Sequence, residues 1–277
     1  MWHIALERIR EIYNRTAEEY DRLLTPCRMC QFLALVQELN LRGDEKVLEI
    51  GSGPGRLSIE IGKLLPNGEV VGIDISENML KLASAKAEEL KVGNVKFVVG
   101  DALNLKFPDE SFDVVVTSQL LHWIPDAHKF LFEIHRVLKT GGKIGLISPT
   151  PEVYSELRQA YQNLMKRYEE YYEGTKTREM VGIRIYSIRE TQELLRKAEF
   201  KIDRMFIMDF KEPLTPEAHI KRIDAITDGK YLDPIPEELR EAAKKELMNE
   251  LLKLGHNDLK TTECSIFIIG RKEEKTR

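Results

Sequence analysis

The sequence predicts an α/β fold, a doubly wound and mostly parallel sheet with helices on both faces. Three observations predict it. From Lys46 onward short apolar runs alternate with amphipathic stretches, the pattern of strands joined by crossover helices. A glycine-rich turn, Gly51-Ser52-Gly53-Pro54-Gly55, stands where the first of these strands passes into a helix. Asp74 and Asp101 close or follow the next two strands, at the edge where open α/β sheets receive ligands.

Through Asn40 apolar residues recur at helical spacing, first Ile4, Ile9 and Ile12, then Phe32, Leu35, Val36 and Leu39. This predicts a helical arm over 1–45, divided by Pro26, which has no amide hydrogen to continue a helix. Val47-Leu48-Glu49-Ile50 is the first strand, and Arg56 to Leu65 the helix after it. Val70 to Asp74 is the second strand, with Ser76 behind it as an N-cap residue. Val95 to Val99, Phe112 to Thr117 and Lys143 to Ser148 supply three more strands and complete a core over 46–150. Glu152 to Glu173 reads as a long helix whose Tyr154, Leu157, Tyr161, Leu164 and Tyr168 share a face, most simply a buried one. It opens an insertion over 151–186. A helix from Ser187 to Ala198 and a sixth strand, Lys201 to Phe210, occupy 187–212. A second helical insertion, 213–260, precedes the last strand, Cys264 to Ile269 within 261–272, and 273–277 is a charged tail. The segments 1–272 therefore read as one domain.

Composition narrows the function. Among 277 residues, 42 basic and 46 acidic side chains leave a net charge of −4, which excludes binding of nucleic acid by bulk charge. Lys and Glu are abundant while Gln, Asn and Cys are sparse, a bias of proteins from hot environments. The first residues carry charges where a signal peptide needs an apolar core, and no apolar run approaches the ~20 residues of a membrane span. The expectation is a soluble, cytoplasmic protein. Cys27 and Cys30 form a Cys-x-x-Cys pair without a second pair or a nearby His, so no metal site is predicted.

The turn Glu49-Ile50-Gly51-Ser52-Gly53-Pro54-Gly55 carries the functional reading. A phosphate-binding P-loop would end in Gly-Lys-Ser/Thr, and this loop continues Gly55-Arg56-Leu57. The dinucleotide fingerprint needs a third glycine where Arg56 stands. Gly-x-Gly-x-Gly after an acidic residue instead resembles the class I, Rossmann-like S-adenosylmethionine-dependent methyltransferases. The likeness runs from Val47 to Pro149 and is strongest to those acting on small acids such as trans-aconitate and on quinone precursors. Leu138-Lys139-Thr140-Gly141-Gly142 matches the family's turn before the fifth strand, with Thr140 in place of proline, and Ala17-Glu18-Glu19-Tyr20-Asp21 resembles its arm motif. The resemblance implies seven strands with the last antiparallel, and S-adenosylmethionine as the cofactor. It places Gly51, Ser52, Gly53 and Gly55 under the cofactor, with Glu49 toward its methionine end. Asp74 and the neighbouring Ile75 fall at the ribose, Asp101 and Ala102 at the adenine, and Tyr20 over the top. Ser118-Gln119-Leu120-Leu121-His122-Trp123 falls where the family lines the donor and acceptor pocket. Ser118, His122 and Trp123 are therefore the candidate catalytic residues, with His122 as a base if the acceptor requires one.

Two acceptors compete. Between Gly174 and Arg189 four basic residues, Lys176, Arg178, Arg184 and Arg189, face one acid, Glu179, with Tyr186 among them. Basic residues interleaved with an aromatic can hold phosphates and stack a base. This favours, narrowly, a base in structured RNA or the ribosome, with Arg178, Arg184, Tyr154 and Tyr186 binding it. The alternative acceptor is a small molecule, a carboxylic acid or quinone precursor. It is supported by the absence of the Asn/Asp/Ser-Pro-Pro-aromatic signature of base-amine methyltransferases at Ser118-Gln119-Leu120-Leu121. A third reading, a cofactor-binding regulatory subunit without activity, is disfavoured because the glycine turn, Asp74 and Asp101 are all intact.

Overall fold

The computed structural model describes residues 2–24, 26–152, 156–171, 184–213, 215–227, 230–254 and 260–273. The chain opens with helices α1 (Trp2–Arg22) and α2 (Pro26–Leu39), with Pro26 in the first turn of the second, where a missing amide hydrogen costs nothing. The core then runs β1 (Lys46–Ile50), α3 (Arg56–Lys63), β2 (Glu69–Asp74), α4 (Glu77–Glu89), β3 (Val95–Val99), β4 (Phe112–Ser118), α5 (Ala127–Val137) and β5 (Leu138–Pro149). The remainder is α6 (Glu156–Arg167), α7 (Ile188–Lys197), β6 (Phe200–Pro213), α8 (Pro216–Thr227), α9 (Arg240–Leu254) and β7 (Lys260–Lys272).

One seven-stranded sheet has the order β3-β2-β1-β4-β5-β7-β6. β7 is antiparallel to both its neighbours, and β1 to β5 pair in parallel. The chain winds outward from β1 through β2 to β3, then returns to place β4 on the other side of β1. That reversal opens a crevice at the carboxyl ends of β1 and β4, the switch point at which such sheets bind ligands.

Strand alternation builds the two core faces. Leu48, Ile50, Val115 and Leu146 join one cluster; Val47, Val114, Val116 and Ile147 join the other, beneath Leu35 and Leu39 of α2. Strands buried on both faces read as continuous apolar runs. A third cluster lies apart from the sheet, where Leu164 and Tyr168 pack against Ile220, Leu232, Leu247 and Leu251. The two helical insertions thus share a small core of their own. The tyrosine stripe serves it, with Tyr161 Oη donating to the Tyr231 carbonyl at 2.6 Å.

Local signals hold where capping chemistry fixes them. Ser76 accepts from the Met79 amide at the start of α4, and Ser187 with Glu190 makes a full capping box for α7. Four elements differ from expectation. Within the predicted helix over Glu152 to Glu173 the described residues form α6 and, after it, a short 3₁₀ turn, Glu169–Tyr171. β5 begins at Leu138, five residues early, and its register shifts against β4 between Phe112 and Val114. β6 and β7 pair from Phe200↔Lys272 to Pro213↔Lys260, so both strands outrun their apolar cores.

Candidate active site

The crevice at the switch point is a cleft roofed by α1. Its floor comes from the glycine turn. Gly51 and Ser52 donate to the Ile73 carbonyl at 2.8 and 2.9 Å, tying the turn to the end of β2. Gly51 and Gly53 have φ of 75° and 49°, a left-handed conformation cheap only for glycine. A Cβ on Gly53 would meet nothing within 4 Å. The turn therefore presents bare backbone to the cleft, which is what close approach by a ligand requires.

Asp74 closes β2 with both carboxylate oxygens engaged. Oδ2 accepts from the Gly53 amide at 2.8 Å and Oδ1 from the Ser76 amide at 2.9 Å. Each oxygen keeps a second lone pair for a ligand. Burial raises its carboxyl above the ordinary range, and the amides of Ser76 and Gly53 oppose that rise. Asp101 lies on the same cleft with Ile75 and Ala102. Its Oδ1 accepts from the Leu103 amide at 2.8 Å, which fixes the side chain in a local turn.

A second, smaller chamber adjoins the first and shares Tyr20, Gly51, Gly53, Ser118 and Gln119 with it. Glu49 and Ser52 line this one. Glu49 is only 2% exposed. Burial pushes its carboxyl up to about 8 against the opposing hydrogen bond from Ser58. Arg28 of α2 lines the same chamber and donates through Nη1 to Gln31 Oε1 at 3.0 Å. A carboxyl and a guanidinium across one small space suit the ammonium and carboxylate of an amino-acid head.

The roof is held by side chains. Asn14 Oδ1 accepts from Ser76 Oγ at 2.8 Å and from the Asn78 amide at 3.2 Å. Asp21 pairs with Arg56 at 2.8 Å and Lys86 at 2.6 Å, and Arg8 pairs with Asp233 of the second insertion. Leu6, Ile9, Tyr13 and Tyr20 of α1 face the cleft. Tyr13, Arg28 and Asn14 escaped the sequence reading. The spacing 6, 9, 13, 20 is one helical face, so the signal was present, but nothing in it said what that face covers.

Several expected residues sit elsewhere. Gly55 lines neither chamber. It caps α3 at φ 77°, and a Cβ there would come within 2.6 Å of Ala83 and Phe97, so its glycine is required by packing. Ser118 lines both chambers, its buried Oγ without a hydrogen-bond partner among the described residues. Trp123 faces the cleft, but His122 does not. Burial, and secondarily the charge of Arg28, lowers the His122 imidazole to about 3. It is neutral at pH 7 and a feeble base. Tyr186 is only 4% exposed and joins the core with Leu194 and Leu195, so it offers no face to a base. Arg184 stacks on it at 4.7 Å and pairs with Glu190 at 3.4 Å. Arg178 and Tyr154 lie outside the described residues. Among the described residues no group of His, Cys, Asp or Glu is poised to hold a metal, and no helix is long and apolar enough to cross a membrane.

Comparison with known proteins agrees with this geometry. A sequence profile described as a methyltransferase domain matches residues 41–206. The chain is 30% identical over 166 residues to a demethylmenaquinone methyltransferase of a Geobacillus strain, covering 58% of this chain and 71% of that protein. It is 34% identical over 168 residues to the demethylmenaquinone methyltransferase of Lactococcus lactis, covering 57% and 67% respectively. A methyltransferase structure from Bacillus halodurans superposes with a TM-score of 0.62 at 22% identity, over 88% of this chain and all of that one. The profile spans the glycine turn, both acidic strand ends and the strands between them, and on that ground the chain belongs to the methyltransferase domain family as a class I S-adenosylmethionine-dependent methyltransferase.

Proposed function

We propose that this enzyme methylates a small, flat, largely apolar molecule of the quinone-precursor kind. The observation that carries the reading is the roof. With α1 fastened at Asn14 and Asp21, the space beside the floor is a narrow cleft walled by Leu6, Ile9, Tyr13, Trp123 and Ile124. Such a cleft suits a flat aromatic ring, and among its described lining residues there is no Lys or Arg to hold a phosphate. The substrate named for the relatives supports the same choice. Two of the four residues offered for RNA carry less of that reading, because Tyr186 is buried and Arg184 is already paired, while Arg178 and Tyr154 lie outside the described residues.

The cofactor supplies an electrophilic methyl group on a sulfonium, and the protein positions rather than attacks. In this reading Asp74 accepts from the two ribose hydroxyls while the Gly53 and Ser76 amides hold its oxygens in place. Asp101 stands at the adenine. Glu49 and Arg28 receive the amino-acid head in the second chamber. Leu6, Ile9 and Ile124 wall the acceptor side of the cleft and exclude water, which is most of what an in-line displacement needs. His122 takes no proton, so the acceptor enters already ionised or loses its proton to solvent.

The test is transfer of labelled methyl from S-adenosylmethionine by the full chain, with reduced prenylated naphthoquinone, short di- and tricarboxylic acids, total RNA and ribosomes as separate acceptors. Label in the quinol is expected. Label confined to RNA or ribosomes overturns the reading.

A further inference from the structure

Three rings meet on the cleft. Tyr13 and Tyr20 lie two turns apart on the inner face of α1, and Trp123 rises from the turn after β4. The Tyr13 and Tyr20 centroids are 5.8 Å apart with planes at 84°; those of Tyr13 and Trp123 are 5.9 Å apart at 79°. Both flanking rings thus stand nearly perpendicular to the central one. Stacked rings would fill this space, whereas perpendicular rings enclose a corner, as they do in sites that recognise quaternary ammonium. The charge of the lining points the same way. Asp74 and Asp101 face the cleft, and among its described lining residues there is no Lys or Arg. Burial, then Tyr20 and Asp74, holds the Tyr13 hydroxyl well above its ordinary ionisation range, so this ring acts through its π-system and not as a phenolate.

We infer that Tyr13, flanked by Tyr20 and Trp123, forms an aromatic corner that recognises the positive sulfonium and discriminates the methyl donor from its spent product. During transfer the carbon–sulfur bond breaks and its electron pair stays on sulfur, while methyl bonds to an electron pair of the acceptor. The sulfur becomes a neutral thioether. A corner that is favourable only to the cation therefore loosens its hold at the moment of transfer. The inference rests on the cofactor and not on the acceptor.

The test is calorimetric binding of S-adenosylmethionine, S-adenosylhomocysteine and the donor analogue with a protonated amine in place of the methyl-bearing sulfonium. Wild type, Tyr13→Leu and Tyr13→Phe are compared. Tyr13→Leu is expected to weaken the two cationic ligands by about 2- to 30-fold, the range of cation–π attraction, while the thioether changes less than about twofold. Tyr13→Phe keeps the ring and should keep the preference. Equal losses for all three ligands would make Tyr13 a packing residue and overturn the proposal. So would a collapse of the preference in Tyr13→Phe, which would assign it to the hydroxyl. If Tyr13→Leu fails to fold, Trp123→Leu and Tyr20→Leu give the same comparison. Failure of the wild-type chain to bind any of the three ligands would contradict cofactor binding itself, a different result from an even loss.

Discussion

The floor and the roof of the cleft are held in different ways. Floor groups are fixed by the backbone: the turn hangs from the Ile73 carbonyl, and Asp74 is gripped by two amides. The roof is one helix fastened by side chains, chiefly Asn14 and Asp21. Backbone hydrogen bonds in a buried sheet do not open without local unfolding, whereas a few side-chain contacts can part while the fold persists. The floor is built to be complementary before the cofactor arrives. The roof's fastenings are side-chain contacts that can part without unfolding the sheet.

The sharpest way to break this contrast is at the floor. Asp74→Ala should cost about 1–3 kcal/mol of cofactor affinity, because hydrogen bonds to a buried carboxylate are lost and two amides lose their acceptor. Unchanged affinity by calorimetry would show that the cofactor does not lie against β2. Glu49 sharpens the same point through pH. Burial pushes its carboxyl up to about 8, above its unfolded value. The stability it confers is therefore full below the unfolded value and declines as pH rises from about 4.5 through about 8. An ammonium group bound beside it lowers that value, so cofactor binding near pH 7 should release a proton. Calorimetry in buffers of different ionisation enthalpy reads this directly, and Glu49→Gln should abolish it. Proton uptake, or none, would remove the amino-acid head from that chamber.

At the roof the expected effect is smaller and mainly kinetic. Asn14→Ala removes the acceptor for Ser76 Oγ and the Asn78 amide, about 0.5–1.5 kcal/mol for an ordinary hydrogen bond. Cofactor dissociation in stopped flow should quicken by about 2- to 10-fold with little change in melting temperature. A melting temperature that falls with no change in dissociation would make α1 a structural helix and not a cover.

The same contrast explains what the sequence made legible. β1, β2 and β4 lie inside a two-faced core, so their apolar runs mark them to within a residue or so, and the glycine turn and Asp74 follow from strand ends. β3 stands at the sheet's edge and is marked by its β-branched run all the same. β5 starts early because its opening residues include the polar Gly141-Gly142 turn, which apolar patterning skips. The helical residues that line the site carried weaker signs. Tyr13 and Arg28 look like ordinary members of amphipathic helices until docking turns one face to the cleft. Tyr186 misled for the converse reason. It sits in a basic stretch that reads as solvated, yet its ring is drawn into the core beside Leu195 while Arg184 covers it.

That cover gives the smallest expected effect. Arg184 is 65% exposed and pairs with Glu190, an arrangement that contributes up to about 1 kcal/mol. Arg184→Glu places like charge beside Glu190, so a melting temperature lowered by a few degrees at most is expected. Transfer to a small acceptor should stay within about twofold, since neither Arg184 nor Tyr186 lines the cleft. Loss of transfer with cofactor affinity intact would be a different matter. It would make the basic segment part of the acceptor site, and the cleft under α1 would then hold one end of a larger, anionic substrate.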